Sequence, residues 1–352
     1  MYEYILIFFA SALIAFFITP VVKKLARWAG AIDIPDDNRR IHKKPILRMG
    51  GLAIYIPFVI LTLALLGRDR QVIGIILGGT LITAMGVVDD IRPLKPVSKL
   101  VVQIAAAIIL IVFGISVKSV TIPFLSENAS AGTGILCIPI TIFWVVGITN
   151  AINLIDGLDG LACGISMISS LALLCVAYMS GRETALLFNA ILSGACLGFL
   201  PYNFNPASIF MGDTGSQFLG FTLASVSMLG AIKSTTAVVV AVPILAIGIP
   251  IYDTLFAMLR RKLNNKPMME ADRGHMHHRL LDIGLSQKQV VLIMYFISIL
   301  LGLASIAAMK LSSRRSYELL MLVCAFVIAT ALEFGLFSKK ANIQGRKDDK
   351  SA

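Results

Sequence analysis

The chain has 352 residues, 57% of them hydrophobic and only 14% charged, with a formal net charge of +11. Apolar runs of about 20 residues recur along it, which excludes a soluble globular domain and points to an integral membrane protein in contact with the lipid bilayer. The positive charge invites a nucleic-acid partner, but no aromatic-studded basic domain is present, so no nucleic acid is expected.

The expected class is all-α and polytopic. Apolar segments fall at about 2–22, 49–67, 71–88, 99–115, 135–152, 161–180, 184–200, 216–232, 235–259, 288–309 and 317–337, about 11 transmembrane helices. The first is long and lacks a small-residue cleavage site, so it reads as a retained span. With the N-terminus outside, the inner loops hold 23 of the 31 Lys and Arg residues and the outer loops 8. The positive-inside rule therefore puts the C-terminus in the cytoplasm. Residues 1–337 read as one transmembrane domain with cytoplasmic loops at 23–48, 89–99, 153–160, 201–216 and 260–288; residues 338–352 read as a basic, disordered tail. The five cysteines, Cys137, Cys163, Cys175, Cys196 and Cys324, lie in or beside apolar runs with no pairing pattern and imply neither disulfides nor a metal cluster.

Every unusual polar cluster falls on the cytoplasmic side. The first inner loop, Asp33 to Gly51, is dense in basic groups, much of which positive-inside anchoring explains. The third segment ends in Asp89-Asp90-Ile91-Arg92-Pro93, with Pro93 stopping the helix. Two adjacent carboxylates at a helix C-terminus oppose the macrodipole and each other, a strain that a metal or a proton-bearing substrate relieves; the alternative is a solvated end neutralised by Arg92 and Lys95. Lys99 stands at the mouth of the next run, placed to meet a phosphate near the membrane surface. Asn153, Asp156 and Asp159 are three apart, so on a continuing helix they share a broad face, and each Asp precedes a Gly that lets a ligand approach. Turn chemistry is the competing account of the two Asp-Gly pairs.

Between the seventh and eighth runs lies Phe199 to Gln217, whose two prolines are expected to break the preceding helix. Asp213-Thr214-Gly215-Ser216 reads as the opening turn of the next helix. Its N–H groups attract anions while Asp213 repels them unless a cation intervenes, a combination that suits a phosphate with a divalent metal. Finally, His275, His277 and His278 lie within four residues beside Arg279. No cysteine is near and the spacing fits no common zinc pattern, so phosphate or nucleotide binding suits the group better than zinc, the alternative being a basic loop resting on anionic lipid.

In this order, Asp89-Asp90, Asn153-x-x-Asp156-Gly-x-Asp159-Gly, Phe210-Met211-Gly212-Asp213 and His275-x-His277-His278-Arg279 resemble the polyprenyl-phosphate N-acetylhexosamine-1-phosphate transferases. The resemblance runs from the loop near residue 39 to about residue 285. The sequence looks like the branch that initiates wall teichoic acid, enterobacterial common antigen and O-antigen lipopolysaccharide synthesis, since the muramoyl-pentapeptide branch usually shows three consecutive histidines. The resemblance implies transfer of GlcNAc-1-phosphate from UDP-GlcNAc to undecaprenyl phosphate with release of UMP, at the cytoplasmic face of a bacterial plasma membrane, by a protein whose relatives suggest a homodimer. It also implies Mg2+, with Mn2+ as a substitute, held by Asp213 and Asn153. Asp89 and Asp90 would orient or deprotonate the lipid phosphate. Lys99 with His275, His277, His278 and Arg279 would hold the diphosphate, Phe210 and Asp159 the uridine end, and Asp156 would belong to the substrate site. A transporter is the runner-up of another class, disfavoured because the acids sit at one membrane face and no internal repeat is visible.

Overall fold

A computed structural model describes residues 2–34, 45–117, 119–121, 130–231, 238–263, 274–311 and 313–333. The tail 338–352, most of the basic stretch of the first inner loop, and residues 264–273 ahead of the histidines lie outside the described residues. The chain is mostly helical. In order come α1 (Tyr2–Trp28), β1 (Ile32–Asp33), β2 (Ile46–Leu47), α2 (Leu52–Leu66), α3 (Arg70–Ile91), α4 (Pro96–Val112), β3 (Ser119–Thr121), β4 (Ser130–Gly132) and α5 (Cys137–Ile155). There follow α6 (Leu161–Met179), α7 (Glu183–Asn203), α8 (Gly212–Ala231), α9 (Val238–Ala246), α10 (Gly248–Leu263), α11 (Met276–Asp282), α12 (Gln287–Lys310) and α13 (Ser313–Glu333). Two short antiparallel ladders, β1 with β2 and β3 with β4, are the strands among the described residues.

Among the described residues, six helices are long and apolar enough to cross a membrane, and α2 and α4 are shorter apolar helices. The helices follow the apolar runs with informative exceptions. The run at 235–259 is divided into α9 and α10, because Pro250, three positions into α10, lacks an N–H and its ring excludes the carbonyl four residues earlier. The loop before α12 adds the short helix α11. Pro201 does not end α7: it lies inside the helix, which stops two residues later at Asn203. Asn153, Asp156 and Asp159 do not continue on one helix either, because α5 ends at Ile155 and Asp156 caps it. Gly160, at φ +79°, then turns the chain into α6.

At the centre stands α8, where every side chain from Thr214 to Leu229 is buried. Its small residues let α3, α5, α6 and α7 close around it, the usual solution where lipid gives no hydrophobic drive for helices to associate. The tightest crossing is with α3: a Cβ on Gly86 would lie 2.5 Å from the Thr214 Cα, backbone that has nowhere to go. Gly86 thus sets how near the last turn of α3 comes to the first turn of α8. Gly86→Val is expected to cost at least about 1–3 kcal/mol, the range for overpacking a close contact, and to appear as a lowered unfolding temperature in detergent. An unchanged unfolding temperature would contradict this crossing.

Candidate active site

Pro93 ends α3 so that Asp89 and Asp90 occupy its last turn, and Pro96 opens α4 with Lys99 in its first turn. Both carboxylates are buried. Asp90 points across the gap to α8 and accepts hydrogen bonds from Asp213 N (3.0 Å), Thr214 N (3.1 Å) and Thr214 Oγ1 (2.6 Å). A carboxylate from one helix therefore caps another, and the positive N-terminal end of α8 offsets the unfavourable C-terminal position of Asp90 on α3. Gly212, at φ +71°, makes this approach possible, since a Cβ there would strike the Asp90 carboxylate. Arg48 Nε lies 3.4 Å from the same carboxylate.

Asp89 and Asp213 meet across Lys99, whose Nζ is 2.8 Å from Asp89 Oδ2 and 2.7 Å from Asp213 Oδ2. Asp89 also accepts a hydrogen bond from Leu94 N at 2.8 Å. Asn153 is within hydrogen-bonding reach of Asp213 and donates to Ser216 Oγ at 2.8 Å. Behind Asp213 runs a chain of amides: Gln217 Nε2 lies 3.3 Å from Asp213, Gln103 donates to Gln217 at 2.7 Å, and Asn150 donates to Gln103 at 2.8 Å. Gln103, Asn150 and Gln217 did not stand out in the sequence reading. Their signal was present as amides inside apolar runs, which in lipid demand partners.

The loop before α8 is strapped from several sides. Phe210 N donates to Leu47 O (2.8 Å), Gly50 N to Phe210 O (3.0 Å) and Gly51 N to Met211 O (2.9 Å), so the end of the first inner loop extends along Phe210 and Met211. Asp159 accepts from Asn205 Nδ2 at 2.9 Å and from Ala207 N at 3.0 Å. These bonds hold the loop over a cavity of about 820 Å³ lined by Lys23, Arg27, Arg48, Asp156, Asp159, Phe210 and His278, among others. Lys23, Arg27 and Arg48 are cations the sequence reading left to membrane anchoring.

The histidines are placed unequally. His278 lines the cavity, whereas His275 and His277 are buried behind it. Burial, with His278 beside it, holds the His277 imidazole down to about 3, so it is neutral at physiological pH. Arg279 follows on α11 but does not line this cavity.

Asp89, Asp90 and Asp213 bring carboxylate oxygens within 4.8 Å of one another. Together with Asp156 they outnumber the nearby Lys99 and Arg48, and the Lys99 ammonium already lies where Asp89 and Asp213 converge. An all-oxygen donor set with excess negative charge fits a hard divalent cation and does not resemble a zinc site.

Fold and site together define a multi-pass helical membrane protein with a buried carboxylate centre beside a cavity large enough for a nucleotide-sized ligand. The chain belongs to glycosyl transferase family 4, whose family model matches residues 72–231. It is 39% identical to a probable undecaprenyl-phosphate N-acetylglucosaminyl 1-phosphate transferase of Bacillus subtilis, over 97% of this chain and 94% of that one. It is 35% identical to a decaprenyl-phosphate N-acetylglucosaminephosphotransferase of Mycolicibacterium smegmatis, over 83% of this chain and 79% of the relative. A phospho-N-acetylmuramoyl-pentapeptide-transferase of Aquifex aeolicus is 32% identical over 86% and 92% respectively.

Asp156 carries a testable electrostatic consequence. Burial first, then the carboxylates of Asp213 and Asp90, push it from 3.8 up to about 8. The folded protein thus retains a proton that the unfolded chain releases between these limits, and stability falls as pH rises through that window. In chelator-containing buffer, Asp156→Asn is expected to unfold at a higher temperature than wild type at about pH 8 and at a similar one near pH 4. Intrinsic fluorescence during heating measures this, and a pH-independent difference would refute it.

Proposed function

We propose that the protein transfers GlcNAc-1-phosphate from UDP-GlcNAc to undecaprenyl phosphate, giving undecaprenyl-diphospho-GlcNAc and UMP, the first membrane step of an envelope polysaccharide such as wall teichoic acid. The observation that carries this reading is the meeting of Asp89, Lys99 and Asp213, next to Asp90, beside a cavity of about 820 Å³. The choice of sugar and lipid follows the Bacillus subtilis relative. The reading includes about 11 spans in a bacterial plasma membrane, with the N-terminus outside, the site facing the cytoplasm, residues 1–337 as one domain, and a homodimer.

The reaction joins two anions. An oxygen of the lipid phosphate attacks the phosphorus that bears the sugar, and the bond from that phosphorus to the uridylyl oxygen breaks, so that UMP leaves with the electron pair. Asp213 and Asn153 would hold Mg2+, which when bound neutralises phosphate charge and stabilises the departing UMP. Lys99 adds a fixed positive charge, and Asp89, joined to it, orients the lipid phosphate and accepts its proton where one is present. Asp90 acts through the backbone of Asp213, holding the first turn of α8 in place. The diphosphate lies toward His278 and Arg48, and the uridine end toward Phe210 and the turn that Asp159 secures. A single direct displacement needs no covalent enzyme intermediate.

Three measurements test this reading. Purified protein with UDP-GlcNAc and undecaprenyl phosphate is expected to release UMP only with a divalent cation present; full activity in excess chelator would exclude the metal. Lys99→Met is expected to lower kcat by on the order of 10²-fold, as loss of a preorganised charge does, and Asp213→Asn by more, with both variants still inserted in membranes. Near-normal turnover by Asp213→Asn would remove it as the metal ligand. A panel of UDP-sugars separates this reading from a muramoyl-pentapeptide transferase, which would prefer UDP-MurNAc-pentapeptide.

A further inference from the structure

Asp253 is a buried carboxylate that the reaction above does not use. It is 4% exposed and sits on α10, in a run otherwise expected to face apolar surroundings. A buried carboxylate is costly unless its oxygens are satisfied, and here both are. Oδ2 lies 2.7 Å from His275 Nδ1, and Oδ1 accepts a hydrogen bond of 2.7 Å from Met276 N at the start of α11. Seven residues later, two helical turns along the same face, Arg260 donates from Nη1 to Gly274 O at 2.6 Å. A Cβ on Gly274 would collide with the Arg260 guanidinium, so the loop backbone lies directly on that side chain.

One face of α10 therefore holds the loop at both ends of Gly274-His275-Met276. The grip passes inward through the imidazoles. The His275 and His277 rings are nearly parallel, 9° apart with centroids at 5.8 Å, and His277 Nε2 would be 2.5 Å from a Cβ on Gly157, beside Asp156. His278, next along the chain, then lines the cavity.

We propose that Asp253 and Arg260 form a two-point clamp by which α10 positions the histidine loop, making Asp253 a positioning residue for the ligand that His278 meets in the cavity. Only the identity of that ligand, a nucleoside diphosphate sugar, rests on the proposed function. The clamp divides the labour among the histidines: His275 and His277 transmit position, and His278 contacts substrate.

The test uses the full-length protein in detergent with Asp253→Leu, Asp253→Asn and Arg260→Gln. Diethyl pyrocarbonate labelling, mapped by mass spectrometry, is expected to leave His275 and His277 protected in wild type and to label both in Asp253→Leu, with Asp253→Asn intermediate because its amide oxygen can still accept from Met276 N. In turnover, Asp253→Leu is expected to raise KM for UDP-GlcNAc about tenfold while KM for undecaprenyl phosphate stays within about twofold, the mark of a displaced contact and not of a lost fold. Should Asp253→Leu fail to fold, Asp253→Asn and Arg260→Gln carry the same comparisons at smaller amplitude. Labelled His275 and His277 in wild type, continued protection in the variants, or an unchanged KM for UDP-GlcNAc would overturn the clamp. A wild-type protein inactive on UDP-GlcNAc would instead refute the substrate assignment, leaving the labelling to decide the clamp.

Discussion

The three hydrogen bonds from the first turn of α8 to Asp90 are the interaction on which the rest of the site depends. They join the carboxyl end of α3 to the amino end of α8, where each macrodipole has the sign that suits the other. Both helix ends are buried in the protein, where no water reaches them, so a partner from the neighbouring helix is the available solution. The close crossing at Gly86 brings the ends together, and Asp213 follows from that junction with its backbone fixed and its side chain turned to Lys99.

Charge then explains why this junction is a site and not only a joint. A fully neutralised cluster would rest as a structural network, but the carboxylates here exceed the cations facing them. A proton retained on Asp156 offsets part of the surplus, and the remaining oxygen donors suit a hard cation. The cavity wall is mixed in charge: Lys23, Arg27 and Arg48 border it together with Asp33, Asp156 and Asp159, so an anionic ligand can pair with the three cations while the carboxylates suit a metal or hydrogen-bond donors. Polar clusters from loops far apart in the chain lie close together because α8 is buried among α2, α3, α5, α6 and α7.

Legibility from sequence was uneven for physical reasons. Helices and apolar runs coincide because bilayer thickness and internal hydrogen bonding leave little choice of element, and Pro93 and Pro96 mark the ends that bear Asp89, Asp90 and Lys99. Prolines were less reliable elsewhere: Pro201 sits inside α7, while Pro250 divides a run that reads as continuous. The same backbone rule gives different outcomes because neighbouring helices can satisfy or crowd a freed carbonyl, and a local window contains no neighbours.

The sequence by itself determined the class of protein and its short polar islands, since periodicity, helix breakers and spacing are local properties. It also carried the four motifs in family order, Asp213 among them. Only the tertiary structure decided what each residue of those motifs faces. Asp90 caps α8 while Asp89 and Asp213 share Lys99; Asp159 holds a loop; His278 lines the cavity while His275 and His277 stand behind it, His275 joined to an Asp253 more than 20 residues away in the chain. These distinctions depend on helix crossings that bring distant segments within about 3 Å, the range over which a carboxylate chooses its partner.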